Sequence, residues 1–134
     1  MHKTKIVTTF LTNSDKILLL KRSKKVKSMK NLWAGISGMI EGDEKPVERA
    51  KIEIYEEVGI GESSIKLIKE GEMILIESPQ YDNHQWEVYP FLFSCNKREI
   101  KLNWENSDSK WIHVNELNNF ITVPSLDKVL TRLF

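Results

Sequence analysis

Between Gly38 and Ile60 the chain reads Gly-Met-Ile-Glu-Gly-Asp-Glu-Lys-Pro-Val-Glu-Arg-Ala-Lys-Ile-Glu-Ile-Tyr-Glu-Glu-Val-Gly-Ile. Pro46 suits a first helical turn, no breaker interrupts Val47 to Val58, and Gly59 can take the left-handed conformation that stops a helix. At about 100° per residue, Val47, Ala50, Ile54 and Val58 line up as an apolar stripe that demands a core. Glu53, Glu56 and Glu57 gather on the opposite side. Carboxylates at i,i+3 and i,i+4 repel by about 0.2–0.5 kcal/mol per pair unless something positive lies between them. A hard divalent cation answers that need: Mg²⁺ takes oxygen ligands and keeps positions open for water and phosphate, with Mn²⁺ as the expected substitute. Gly38 and Gly42 before the helix allow a sharp turn and a close backbone approach.

The spacing of Gly38, Glu44 and then Glu53-Ile54-Tyr55-Glu56-Glu57-Val58-Gly59-Ile60 resembles the Nudix box, a glycine, a glutamate and an Arg-Glu-apolar-x-Glu-Glu-x-Gly-apolar helix. Leu32-Trp33 followed by Gly35-Ile36-Ser37-Gly38 is similar to the approach to that box in the small nucleoside triphosphate pyrophosphatases of the family. The resemblance implies an α/β protein, the Nudix α/β/α sandwich with a mixed β-sheet, over nearly the whole chain. One position departs: Ile52 stands where the family has an arginine that orients a glutamate. Arg49, four residues before Glu53, is a partial substitute that can pair with it at i,i+4.

Pyrophosphate hydrolysis needs a cation on the phosphate oxygens, a water held in line and a group to take its proton. Glu53 and Glu57 are the firmest candidate metal ligands, Glu56 sits at the edge of their face, and the resemblance adds the carbonyl of Gly38. Glu44 reads either as a buttress of the box or as a charge stabilising the helix N-terminus. The proton acceptor is one of the box glutamates or Glu105, whose place in Trp104-Glu105 resembles the loop glutamate of relatives acting on triphosphates; a solvated loop acid is its plainer reading. By the same resemblance Arg22, closing a strand, is expected near substrate. Trp33 suits a base pocket or the core equally. His2, His84 and His113 have no metal-ligand spacing.

With 134 residues, 40% hydrophobic and 29% charged, residues 1–134 have the balance of one domain with one core. The net charge of +1 conceals a basic segment, six cations from Lys21 to Lys30, ahead of an acidic one with seven acids against three bases from Glu41 to Glu57. That juxtaposition suits a polyphosphate, although a solvated loop explains the lysines as well; the overall balance carries no nucleic-acid or membrane signature. Cys95 stands alone, so an internal disulfide is excluded and a cytosolic setting expected.

Lys5 to Leu11, a turn at Asn13-Ser14-Asp15 and Lys16 to Leu20 predict a hairpin, followed by a loop over Ser23 to Asn31. Leu32 to Ile40 is expected as one strand in which Gly35 and Gly38 mark close approaches. Ser63 to Glu77 holds a discontinuous strand or two short ones, 78–84 reads as a loop, and Gln85 to Cys95 is a strand apolar on both faces whose Pro90 suggests an edge or bulge. Trp104-Glu105 leads into a polar loop, Lys110 to Val114 is a short strand, and Asn115 is expected to cap a short turn. Leu126, Val129, Leu130 and Leu133 behind Pro124 and Ser125 predict a terminal amphipathic helix.

Together these features point to a divalent-metal-dependent pyrophosphohydrolase whose partner is a small nucleotide, a nucleoside triphosphate or related nucleoside diphosphate derivative. An ADP-ribose or other nucleoside-diphosphate-sugar hydrolase is the alternative, set second because the chain lacks the N-terminal extension of many ADP-ribose hydrolases. A nucleotide-binding module impaired by Ile52 is the reading from a different class.

Overall fold

The computed structural model describes residues 2–77 and 83–134. Their order is β1 (His2–Asn13), β2 (Lys16–Arg22), β3 (Trp33–Ala34), β4 (Ile36–Met39), α1 (Pro46–Val58), a 3-10 turn (Glu62–Ser64), β5 (Ile65–Glu70), β6 (Ile74–Glu77), β7 (His84–Cys95), β8 (Asn106–Ile112), a 3-10 helix (Val114–Asn119) and α2 (Leu126–Thr131). The described strands form one eight-stranded sheet. β1 and β7 run parallel at its centre, and the other pairings between described strands are antiparallel, apart from an isolated parallel bridge of Trp33 with Thr122, so the sheet is mixed. β1 shares its second edge between β4, opposite Ile6 to Thr9, and β2, opposite Thr12 and Asn13. That division lets the chain carry β4 and α1 away from the β2–β3–β8 wing.

Period-two alternation sorts the strands into two cores. Leu18 and Leu20 of β2 face α1 with Val7, Phe91 and Phe93, packing on Ala50, Ile54 and Val58. Ile17 and Leu19 face α2 with Phe10, Val88 and Leu92, packing on Leu126, Val129, Leu130 and Leu133. Burial of each Val, Leu, Ile or Phe among them contributes about 1.5–3 kcal/mol. The result is the α/β/α sandwich expected from the sequence. Among the described residues no helix is long and apolar enough to cross a membrane.

Several local expectations are corrected. Leu32 to Ile40 is two strands, because the chain steps at Gly35 from pairing with β2 to pairing with β1. A Cβ at Gly35 would stand 3.0 Å from the Thr9 carbonyl and 3.2 Å from the Phe10 ring, the close approach its glycine predicts. Pro90 lies on a central strand, opposite Thr8 of β1. On the other side it faces the break between β5 and β6, where its carbonyl accepts from the Gly71 N–H at 2.9 Å. The polar loop before Lys110 is the first half of β8, paired with Leu20 to Arg22. His113, not Asn115, caps the 3-10 helix, in a reciprocal bond with Glu116. Of the loop expected over 78–84, residues 78–82 lie outside the described residues; Asn83 has φ 56 and His84 already opens β7.

Candidate active site

The site grows from the crossing of β4 and α1. Gly38 pairs with Val7 in the sheet, and the space a side chain would fill there is taken by the carboxyl end of Glu53: a Cβ would overlap it. Gly42, at φ 55, then turns the chain toward the helix. α1 begins with Pro46 and ends on Gly59 at φ 74, whose N–H returns to the Tyr55 carbonyl.

The acidic face is not the solvated opposite side that a two-faced wheel suggests. Glu53 and Glu57 are buried along with Ala50, Ile54 and Val58, while Glu56 is exposed. Arg49 is the reason Glu53 tolerates this. Its Nη1 donates to Glu53 Oε2 at 3.0 Å, Nε and Nη2 clasp both oxygens of Glu44 at 2.6 and 3.0 Å, and Nη2 lies 3.4 Å from Glu41 Oε2. Glu44 is therefore a buttress, tied also to the Glu41 N–H at 2.7 Å. Arg49 holds the Glu44 carboxyl below the usual range, and the same pairing raises the Arg49 pKa. Burial raises Glu53, against the Arg49 hydrogen bond, and the Glu56 charge adds to the rise.

Glu57 lies deepest. Asn106 Nδ2 donates to its Oε1 at 3.2 Å, whereas its Oε2 is buried with no hydrogen-bond partner among the described residues. Burial, then the charges of Glu105 and Glu53, push this carboxyl well above the ordinary range, opposed by Asn106. Asn106 escapes a reading of the sequence: it lies 49 positions from Glu57, and no local pattern links them. Among the described residues the acids are not drawn into a closed three-ligand metal cage. Arg49 occupies Glu53, Asn106 occupies one oxygen of Glu57, and Glu56 faces outward.

A cavity of about 700 Å³ opens beside these groups. Toward α1 it is lined by Arg22, Gly38, Arg49, Glu53, Glu56 and Glu105, with Ile52 among them; toward α2 its wall is Ile6, Ser37, Ile76, Trp86, Val88, Leu126 and Val129. Glu105 thus reaches the site, its N–H held by Asn103 Oδ1 at 3.0 Å. Arg22 reaches it too, donating Nε and Nη2 to the Ser28 carbonyl at 3.2 and 3.1 Å. Burial lowers the pKa of Arg22 while the charges of Glu57 and Glu105 oppose that shift. Trp33 is not part of the cavity wall; it packs edge-on against Phe120 at 5.2 Å in the α2-side core. The indole on the wall is Trp86, whose alternation with Val88 on β7 was legible without showing what it would face.

The NUDIX domain model matches residues 2–133 of the chain. An RNA pyrophosphohydrolase of Bartonella clarridgeiae is 30% identical over 111 residues; the match covers 69% of this chain and 63% of that relative, so it spans less than two thirds of the relative's length. The crystal structure of MutT protein from Methanosarcina mazei Go1 superposes with a TM-score of 0.76 at 20% identity, covering 98% of this chain and 92% of that one. A C. elegans Ap4A hydrolase binary complex superposes at 0.75 and 17% identity, covering 99% and 95%. At those identities the structural likeness is one of fold.

Proposed function

Because the chain belongs to the Nudix family of hydrolases, we propose that it is a divalent-metal-dependent pyrophosphohydrolase that cleaves a nucleoside triphosphate or a related nucleoside diphosphate derivative. The observation that carries the metal is Glu57 Oε2, a buried acceptor without a donor among the described residues, beside a second buried carboxylate. An orphaned buried acceptor costs about 1–3 kcal/mol, and a cation removes that cost where another acid only adds to it. Glu57 and Glu53, with Glu56 at the rim and the Gly38 carbonyl, would hold the ion. Mg²⁺ there would supply charge neutralisation to the phosphate oxygens.

The remaining work falls to the chain's own groups. Arg49 fixes the rotamer of Glu53, and Asn106 turns Glu57 so that Oε2 stays free. Arg22 supplies positive charge beside the phosphates. Glu105, on the cavity wall, accepts the proton of the attacking water as the water's oxygen bonds to phosphorus and the anhydride P–O bond breaks. The apolar wall with Trp86 takes the nucleoside. A nucleoside triphosphate would leave as monophosphate and pyrophosphate. The Bartonella relative is named for RNA, so an RNA belongs beside the free nucleotides among the substrates tested.

Titrating Mn²⁺ into wild type, Glu53→Gln and Glu57→Gln tests the metal reading. Each substitution removes a charged oxygen ligand and should weaken binding by roughly tenfold or more. Wild-type affinity in both variants would overturn it. Phosphate or pyrophosphate release across a nucleotide panel, with and without Mg²⁺, tests the activity.

A further inference from the structure

Glu105 and Glu57 come from separate elements, and one short turn ahead of β8 reaches both. Asn103 Oδ1 accepts the Glu105 N–H at 3.0 Å, its Nδ2 donates to Glu105 Oε1 at 3.4 Å, and its carbonyl accepts the Asn106 N–H at 3.4 Å. An asparagine side chain that takes the N–H two residues on builds a turn of this kind by itself. At the far end of the turn Asn106 donates to Glu57 Oε1. Among the described residues the Glu105 carboxylate has no other hydrogen bond, and Arg22, whose charge it faces, directs Nε and Nη2 at the Ser28 carbonyl instead.

The turn is anchored from the neighbouring strand. β2 and β8 pair in step from Ile17 with Ile112 to Lys21 with Asp108, but Arg22 pairs with Asn106, so Ser107 is an extra residue in the ladder. Side chains alternate across a strand, and one inserted residue therefore decides which of Ser107 and Asn106 shares a face with Leu20 and Arg22. It is Asn106, on the α1 side where Glu57 lies. One position further, the buried Ser23 donates its N–H to the Glu105 carbonyl and its hydroxyl to the Trp104 carbonyl, both at 2.8 Å. The main chain of the turn is thus fixed on both sides. What remains to be set is the direction of the Glu105 side chain, and Asn103 Nδ2 sets it.

We propose that Asn103 is a positioning residue for the reaction: it holds Glu105 by Oε1 and leaves Oε2 to take the proton of the attacking water. Through Asn106 the same turn holds Glu57, so proton acceptor and metal ligand keep a fixed separation. The proposal rests on the pyrophosphohydrolase reading, with Glu105 as the acceptor, and adds the residue that aims it. An amide suits the task because it donates to a carboxylate without bringing a positive charge that would weaken the carboxylate as a base.

A double-mutant cycle separates aiming from mere support of the fold. Asn103→Asp and Asn103→Ser each keep an oxygen for the Glu105 N–H and remove the donor to its carboxylate. Either should lower kcat on the best nucleotide by about tenfold, the size of a lost hydrogen bond to a charged group, with KM within about twofold. Glu105→Gln alone should lower kcat by about a hundredfold or more. In that background neither Asn103 variant should lower kcat further, because the group it aims is gone. Wild-type kcat in both Asn103 variants, or the same fractional loss with and without Glu105, overturns the proposal and leaves the reaction assignment intact. Wild-type kcat in Glu105→Gln, with metal dependence retained, removes Glu105 as the acceptor and the proposal with it. A wild type that hydrolyses no nucleotide overturns the reaction assignment and the proposal together.

Discussion

Arg49 pairs with Glu44 and Glu53 from one turn before Ile52 in the helix. Its side chain is 11% exposed and meets Glu44 with two nitrogens and Glu53 with a third. Removing it leaves two carboxylates without their counter-charge, one of them buried, so Arg49→Ala should cost on the order of 3 kcal/mol in urea unfolding and lower turnover at least tenfold. Arg49→Lys keeps the charge but not the planar fork and should fall between. If Arg49→Ala unfolds like wild type, the clasp contributes nothing and the glutamates are held by packing. The sequence suggests that Ile52→Arg would raise turnover. With Glu44 and Glu53 already engaged by Arg49 and Ile52 on the cavity wall, the gain should be smaller than the loss in Arg49→Ala; steady-state kinetics on the same nucleotide compares them.

At the scale of elements, the site depends on how closely β4 and α1 cross. Gly38 is where they touch, and Gly38→Ala forces Glu53 off Arg49 or pushes the strand aside. The expected cost is about 1–3 kcal/mol, with weakened Mn²⁺ binding in the same variant. Gly61→Ala is the matched control, since a Cβ there meets nothing within 4 Å and should leave both measurements unchanged. A thermal melt and a Mn²⁺ titration on the pair would refute the crossing argument if Gly38→Ala matched the control. The helix itself was legible from Pro46 to Gly59, because first-turn proline, unbroken periodicity and a left-handed stop are local signals. The split of β3 from β4 was not, because which neighbour a strand pairs with is set by the rest of the sheet.

Across the whole molecule, the buried acids link pH, metal and stability. The Glu57 pKa is raised on folding, chiefly by burial, so between the ordinary carboxylate range and its raised value the folded protein holds a proton the unfolded chain has released. Stability of the metal-free protein should therefore fall as pH rises through that window, and Glu57→Gln should flatten the slope. Divalent-cation affinity should rise over the same window, because the ion replaces that proton. Melting curves from pH 5 to 8, with and without Mg²⁺, check both signs. A metal-free slope unchanged in Glu57→Gln would mean that another group titrates there.

The box spacing carried the family and, through that resemblance, the sandwich; a helix and its preceding turn also set the spacing of Glu44, Glu53, Glu56 and Glu57 by local geometry alone. Alternation on β2 and β7 and the 3.6-residue rhythm of α2 carried the two cores for the same reason. Packing decided the rest. Whether Glu53 and Glu57 faced water or protein depended on β4 lying against α1, and the hydrogen bond that leaves one oxygen of Glu57 free comes from Asn106 across the fold. Trp33 and Trp86 are alike as indoles in apolar strands, yet one packs on Phe120 and the other lines the cavity. Strand partners, not strand composition, make that choice: β3 ends against β2, while β7 runs along β1 beneath the opening.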